Sequence, residues 1–264
     1  MHKRQTQGKI NAQNVHVLYK NLGETPNECI LRFKKDNQEY AESPMTYAGR
    51  LDPMAEGLLL VLSGEELKNK DEYLGLQKTY EFEILWGFQT DTLDVLGLVE
   101  SKKSKVESVE EKEIQQYLKN SIRKFEQNYP AYSSKPVSGK SLFEWAREGK
   151  LGEIEIPLHV VEIFESEHLS RKTISGKELL QNICQKVSVV HGDFRQEEIL
   201  ENWMKLLAEK EEDTFTVDRI SATVSSGFYI RQFVFDLAKS LDNFATTFHI
   251  NRTKIGNFSV ENSH

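Results

Sequence analysis

The stretch "TYEFEILWGF" alternates large apolar and polar residues. Tyr80, Phe82, Ile84, Trp86 and Phe88 fall on one side of an extended chain, with Glu81 and Glu83 between the first of them. Period two commits this segment to a β-strand with one buried face, because a helix would scatter those side chains around its circumference. A chain organised on such a strand needs a sheet and something to cover it.

The flanking segments supply both. Residues 58–62, "LLLVL", read as a buried strand. Residues 15–19 and 29–33 are short apolar runs separated by Gly and Pro turn chemistry in "KNLGETPNE". A short helix is expected from about Ser63, and "QTDTLDVLGL" reads as a polar loop. Three Ser/Glu pairs three residues apart have the capping-box pattern: Ser108 and Glu111, Ser141 and Glu144, Ser175 and Glu178. They predict helices running to about Phe125, up to Gly149, and through "LLQNICQKV". Residues 154–164 read as extended, and "DFRQEEILENWMKLLAEKEE" as a further helix on Ile199, Trp203, Leu206 and Leu207. A strand over residues 215–224 leads through "SSG" into a last helix with a stripe of Ile230, Phe233, Val234, Leu237 and Leu241. Strands and helices mixed without strict alternation predict an α+β fold on a largely antiparallel sheet.

Composition narrows the class. Of 264 residues, 38% are hydrophobic and 28% charged, which suits a globular chain with a polar surface and a sizeable core. No apolar run approaches the roughly 18 residues of a membrane span, and the basic N-terminus lacks the apolar stretch of a secretory signal. Cys29 and Cys184 have no CxxC spacing and are expected as buried free thiols of a reducing compartment. Two cysteines fall short of a structural zinc set, so no metal is expected. A net charge of −7 argues against a nucleic-acid partner until its distribution is considered. Lys3, Arg4, Lys9 and Lys20 stand in a first twenty residues free of acid. Lys135, Lys140, Arg147 and Lys150 face only Glu144 and Glu148 in residues 131–150.

Three residues stand out chemically. Asp52 lies between Arg50-Leu51 and Pro53 in "YAGRLDPMAEG". Taken alone, Asp-Pro is a good helix start or turn; a carboxylate on a loop at the edge of a buried strand is also a catalytic placement. Tyr80 heads the alternating strand, where an ordinary core aromatic is the plainer reading. Arg231 in "GFYIRQF" falls off the apolar stripe of its helix. It is either solvated or paired with a specific carboxylate, since a helix start disfavours a cation. Asp91 and Asp94 in "TDTLD" read as Asx turns more readily than as a metal or phosphoryl-transfer loop, which would be magnesium-dependent.

In order along the chain, "YAGRLDPMAEGLLLVLSGE", "KTYEFEILWGFQTDTLDVLG", "YPAYSSKPVSGKSLFEWAREG", "SSGFYIRQFVFDLAKSL" and "INRTKIGNF" resemble the motifs of the TruB family of tRNA pseudouridine synthases. "YKNLGETP" is a weaker echo of that family's N-terminal motif. The resemblance covers residues 15–258, interrupted by one insert. It implies a pseudouridine synthase fold, a single catalytic domain over residues 1–264, and isomerisation of uridine 55 in the tRNA T-loop by base flipping. It implies no cofactor and no metal, a tRNA T-arm as partner rather than DNA or a membrane, a monomer, and a cytoplasmic location. It places the essential aspartate at Asp52, the stacking tyrosine, also a candidate base, at Tyr80 and the orienting arginine at Arg231. Tyr229 and Ile250 would line the uracil pocket, beside Tyr47, Gly49 and Arg50 of the loop. Lys20, Lys135, Lys140, Arg147 and Arg252 would face phosphates.

The chain departs from the family pattern in four ways. Tyr47 stands where a histidine is usual, and Asn21 where a proline is. About forty residues, 171–213, form a charged helical insert, and the chain ends where a C-terminal PUA domain would follow, so none is expected. A synthase for another RNA and an RNA-folding chaperone are the alternative readings.

Overall fold

The computed structural model describes residues 14–102 and 109–259. Lys3, Arg4, Lys9 and the Ser108 cap therefore lie outside the described residues.

Strand β1 (Val15–Lys20) leads into helix α1 (Pro26–Asp36). Thr25 caps α1: its hydroxyl accepts the Glu28 N–H at 3.2 Å, and the Glu28 carboxylate accepts the Thr25 N–H at 2.7 Å. The apolar run at 29–33 is thus a helical stripe, set by the Thr25–Glu28 box and by Pro26 in the first turn. Strands β2 (Met45–Ala48) and β3 (Ala55–Ser63) flank the Asp52 loop. A 3-10 turn and helix α2 (Lys70–Gly75) follow, then β4 (Lys78–Trp86), β5 (Phe88–Thr90) and β6 (Val99–Lys102).

Helix α3 (Glu111–Ser121) is capped by Glu110 and Glu113, and it stops short of Phe125. Phe125 belongs instead to β7 (Lys124–Asn128), where it pairs with Val161. The hairpin of β8 (Pro136–Val137) and β9 (Lys140–Ser141) enters α4 (Leu142–Arg147), with the Ser141–Glu144 box formed. Strand β10 (Leu158–Ser175) is long, and helices α5 (Gly176–Ser188) and α6 (Gln196–Leu207) form a hairpin after it. Ser175 caps α5 by accepting the Glu178 N–H at 3.2 Å. Strand β11 (Thr214–Val224), helix α7 (Ile230–Ser240), β12 (Ala245–Ile255) and β13 (Phe258–Ser259) complete the order.

The main sheet runs β1-β3-β12-β4-β11-β10-β7, with β2 also on β3 and β13 on β12. Its ladders are antiparallel except β3 with β12, where Ala55, Glu56 and Gly57 face Ile250, Asn251 and Arg252 in parallel. The fold is α+β on a mostly antiparallel sheet. Tyr80, Phe82, Ile84 and Trp86 pack on one face with Phe233, Val234 and Leu237 of α7 and Ile114 and Leu118 of α3. Phe88 does not join them. Gly87 adopts φ +93°, a turn open to glycine, and sends Phe88 into a second cluster against Trp203 and Phe215, each ring 5.2 Å away.

Residues 171–175 extend β10 and pair with 214–218, so the helical part of the expected insert is α5 and α6 alone. Most of its charged residues are exposed, but Lys186 donates to the Phe248 carbonyl at 2.6 Å. Inside, Leu179, Ile183, Val187, Ile199, Trp203 and Leu207 pack with Leu85, Val95, Val217 and Phe248. Cys29 is buried, whereas Cys184 is only half-buried. No helix among the described residues is long and apolar enough to cross a membrane.

Candidate active site

Asp52 sits in the turn between β2 and β3, where the Ala55 N–H donates to the Asp52 carbonyl at 3.0 Å. The turn opens into a strand, so Asp52 caps no helix and its side chain is left for another partner. That partner is Arg231 in the first turn of α7. Arg231 Nε donates to Asp52 Oδ2 at 2.9 Å, and Nη2 lies 2.9 Å from the same oxygen. The Arg231 side chain is 4% exposed, while the Asp52 side chain is 33% exposed. Among the described residues nothing donates to Asp52 Oδ1. The pair therefore presents one anchored and one open oxygen.

The rest of the guanidinium is held by backbone. Nη1 donates to the Thr92 carbonyl at 2.6 Å and Nη2 to the Tyr132 carbonyl at 3.2 Å. A second carboxylate, Asp94, lies 3.6 Å from Nε. Asp94 also accepts the Thr92 hydroxyl at 2.9 Å and the Leu96 N–H at 3.0 Å, the Asx geometry read from the sequence. Burial pushes its pKa up to about 6, against the pull of Arg231. Burial works against the charge of Arg231 too, yet Asp52 and Asp94 hold its pKa above the ordinary value. From sequence Asp94 belongs only to a turn; the return of α7 to this loop makes it part of the site. The Thr92 and Tyr132 carbonyls carry no sequence signal.

The apolar wall is built from the same strands. Leu51 and Ala55, on either side of Asp52, share a cluster with Tyr80, Ile250, Phe228 and Ile230. Tyr80 is a buried member of that cluster, and its hydroxyl lies 3.5 Å from Arg252 Nη1. Tyr229 is half-buried at the start of α7, its backbone clamped by Gln127 through bonds of 2.9 and 3.1 Å. Burial raises the Tyr229 pKa, and the charge of Asp52 pushes it the same way.

Two of the expected phosphate contacts are corrected. Arg252 is 1% exposed and donates to the carbonyls of Leu58 (2.8 Å), Gly49 (3.0 Å) and Arg50 (3.4 Å). Lys20 is 0% exposed and donates to Ala55 O at 2.6 Å and Asn21 O at 2.9 Å, with burial pushing its pKa down to about 8. Both cations satisfy backbone carbonyls around the Asp52 loop, where an RNA phosphate has no access. Lys78 does likewise nearby, donating to Leu74 O and Leu76 O at 2.6 Å.

The other cations lie outside. Lys135 is half-buried, its ammonium 5.0 Å from the Tyr129 ring centre, and Tyr129 in turn stacks on His159 at 4.0 Å. Lys140 is exposed and pairs with Glu148 at 2.6 Å, and Arg147 donates to the Asp193 carbonyl. In the loop, Gly49 takes φ +93°, and Tyr47 is half-buried with its hydroxyl 3.5 Å from the exposed Arg50.

A sheet of this order defines a fold class. The solved structure of a Cbf5-Nop10-Gar1 complex superposes with a TM-score of 0.57 over 94% of this chain and 50% of that chain, at 16% identity, which shows a shared fold. An H/ACA RNP bound to a substrate RNA containing 2'-deoxyuridine gives 0.54 at 15% identity, again over 94% of this chain and 49% of that chain.

Within that fold class, residues 38–192 match the model of the TruB family pseudouridylate synthase N-terminal domain, and the chain belongs to that family. It is 29% identical over 240 residues to the tRNA pseudouridine synthase B of Malacoplasma penetrans, covering 90% of this chain and 83% of the relative. It is 31% identical over 215 residues to that of Caldicellulosiruptor saccharolyticus, and here the alignment covers 81% of this chain but 59% of the relative.

Proposed function

We propose that the chain converts uridine 55 in the T-loop of tRNA to pseudouridine. The carrying observation is the asymmetry of Asp52: Oδ2 is fixed by two Arg231 nitrogens at 2.9 Å, and the other oxygen stays open beside the wall containing Tyr80 and Ile250. The names of the relatives support a tRNA substrate, and the position follows from the motif resemblance alone.

The reaction breaks the C1′–N1 bond and forms C1′–C5. The C5 proton leaves and N1 gains one, so the atoms balance without oxidant or co-reactant. The target base must leave its stack to reach Asp52. Asp52 Oδ1 acts on the flipped nucleotide, at C1′ as a nucleophile or at C2′ as a base. Arg231 fixes its angle by holding Oδ2 through two nitrogens. Tyr80 and Ile250 provide an apolar seat for the uracil, with Tyr229 on its rim. Lys135, Lys140 and Arg147, with Tyr47 and Arg50 at the loop, contact the T-arm backbone.

The test is tritium release from uracil C5 in an unmodified tRNA transcript, wild type beside Asp52→Asn, with the modified position mapped. Release by wild type alone at uridine 55 supports the reading. Release at another position, or from ribosomal RNA only, moves the activity to a different RNA. Binding without release from any RNA points to a folding role.

A further inference from the structure

The turn between α5 and α6, residues 189–195, touches α1, α4, the turn at Gly23 and the 91–98 loop. His191 Nδ1 lies 2.9 Å from Glu28 on α1, and the Asp193 carbonyl accepts from Arg147 of α4. The Val189 carbonyl packs so closely on Gly23 that a Cβ there would collide with it, and the Gly23 N–H donates to the Pro53 carbonyl at 2.9 Å.

The fourth contact reaches the chemistry. Arg195 takes φ +61°, unusual for a side chain of its size, and directs its guanidinium inward. Its Nη2 lies 2.8 Å from Asp91 Oδ2, and its head is 5.1 Å from the centre of the Tyr132 ring. The Tyr132 hydroxyl donates to that same Asp91 oxygen at 3.1 Å. Asp91 is closed on its other side, where Oδ1 accepts the Leu98 N–H at 2.9 Å. Arg195 thus clamps two separate stretches, the 91–98 loop and the 129–133 segment. Those stretches supply the Thr92 and Tyr132 carbonyls that hold Arg231.

We propose that Arg195 is a positioning residue for the reaction: by joining Asp91 to Tyr132 it fixes the two carbonyls that aim Arg231 at Asp52. This gives the α5–α6 hairpin a role in turnover rather than only in packing. The proposal rests on the isomerase reading of Asp52. A chain with the hairpin loosened would still bind RNA through its outer cations, but Arg231 would sample more orientations and Asp52 would lose its fixed angle. An error of that kind costs rate rather than affinity.

The experiment compares wild type, Arg195→Ala, Arg195→Lys, Asp91→Asn and the Arg195→Ala/Asp91→Asn double variant. Single-turnover pseudouridine formation and RNA Kd are measured on each. The expected result for Arg195→Ala is a rate about tenfold lower with Kd within about twofold, and a partial recovery in Arg195→Lys. The double variant should be no slower than the slower single, because both residues act through one link. A wild-type rate in folded Arg195→Ala, or fully additive losses, overturns the proposal. Should Arg195→Ala fail to fold, Tyr132→Phe removes only the hydroxyl bond to Asp91 and must slow turnover in the same direction. If wild type itself releases no tritium, the isomerase reading fails separately. Hydrogen exchange at Arg231 Nε–H then decides the link: faster exchange in Arg195→Lys than in wild type supports it, and equal exchange overturns it.

Discussion

Arg231 grips Asp52 by a single oxygen, with Nε and Nη2 both 2.9 Å from Oδ2. An arginine–carboxylate pair more often meets fork to fork, one nitrogen per oxygen. Here Asp94, 3.6 Å away, and the Thr92 and Tyr132 carbonyls take up the rest of the guanidinium, so Asp52 keeps an oxygen for other work.

That asymmetry makes Asp52→Asn informative. The amide oxygen can still accept from Arg231, so the fold should survive. Turnover should vanish, and RNA binding should stay within about tenfold, roughly 1.4 kcal/mol. Tritium release and filter binding measure the two. Activity near wild type would remove Asp52 from the chemistry.

Tyr80→Phe keeps the ring in its apolar cluster and deletes the hydroxyl 3.5 Å from Arg252. Its Tm should change by no more than a few degrees, because one long hydrogen bond is worth about 1 kcal/mol at most. Turnover should drop by about a hundredfold or more if that hydroxyl moves a proton. Full activity would leave Tyr80 as a stacking surface only.

Asp94 predicts a pH signature. Its pKa is near 3.8 in a free chain and is pushed up to about 6 by burial, so between those values the folded protein binds the proton more tightly than the unfolded chain. This group's contribution is therefore greatest at low pH and is lost as pH rises from about 4 to about 6. In Asp94→Asn that slope disappears. Urea melts of both proteins across this range should diverge, and parallel profiles would contradict the assignment.

The buried cations separate from the outer ones by salt dependence. Arg252→Met should destabilise by about 3 kcal/mol, because the carbonyls of Gly49 and Leu58 lose their donor. The slope of log affinity against log salt should not change. Lys135→Ala should leave Tm alone and reduce that slope by about 1. A reduced slope in Arg252→Met would restore it as a phosphate contact.

Gly57 tests the junction of β3 with β12. It takes φ +111°, and a Cβ there would come within 2.6 Å of the Arg252 backbone nitrogen. Gly57→Ala should lower the yield of folded protein sharply, since both the backbone and the only parallel ladder among the main-sheet pairings must shift. Soluble protein with an unchanged Tm would refute the close approach.

Local rules carried much of this structure. Alternation fixed β4 from Tyr80 to Trp86, and capping pairs placed α4 and α5 at Ser141 and Ser175. These signals act over a few residues, so they survive without knowledge of the fold. The residue types at Asp52, Tyr80 and Arg231 were equally visible, although each had a plainer reading.

Tertiary structure decided the rest. Phe88 left the face its spacing implied because Gly87 turns there and Trp203 and Phe215, from far along the chain, receive the ring. Lys20 and Arg252 looked like phosphate ligands because a sequence shows a cation's charge but not the carbonyls waiting for it. For Lys20 that carbonyl is Ala55, and for Arg252 it is Leu58, contributed by another strand. Arg231, Asp94, Asp91 and Arg195 meet only when α7 and the α5–α6 turn close on one loop. Sequence determines which groups can carry charge and where local elements begin. Burial and partnership belong to the folded chain, because desolvation and hydrogen bonding depend on neighbours brought together from far along it.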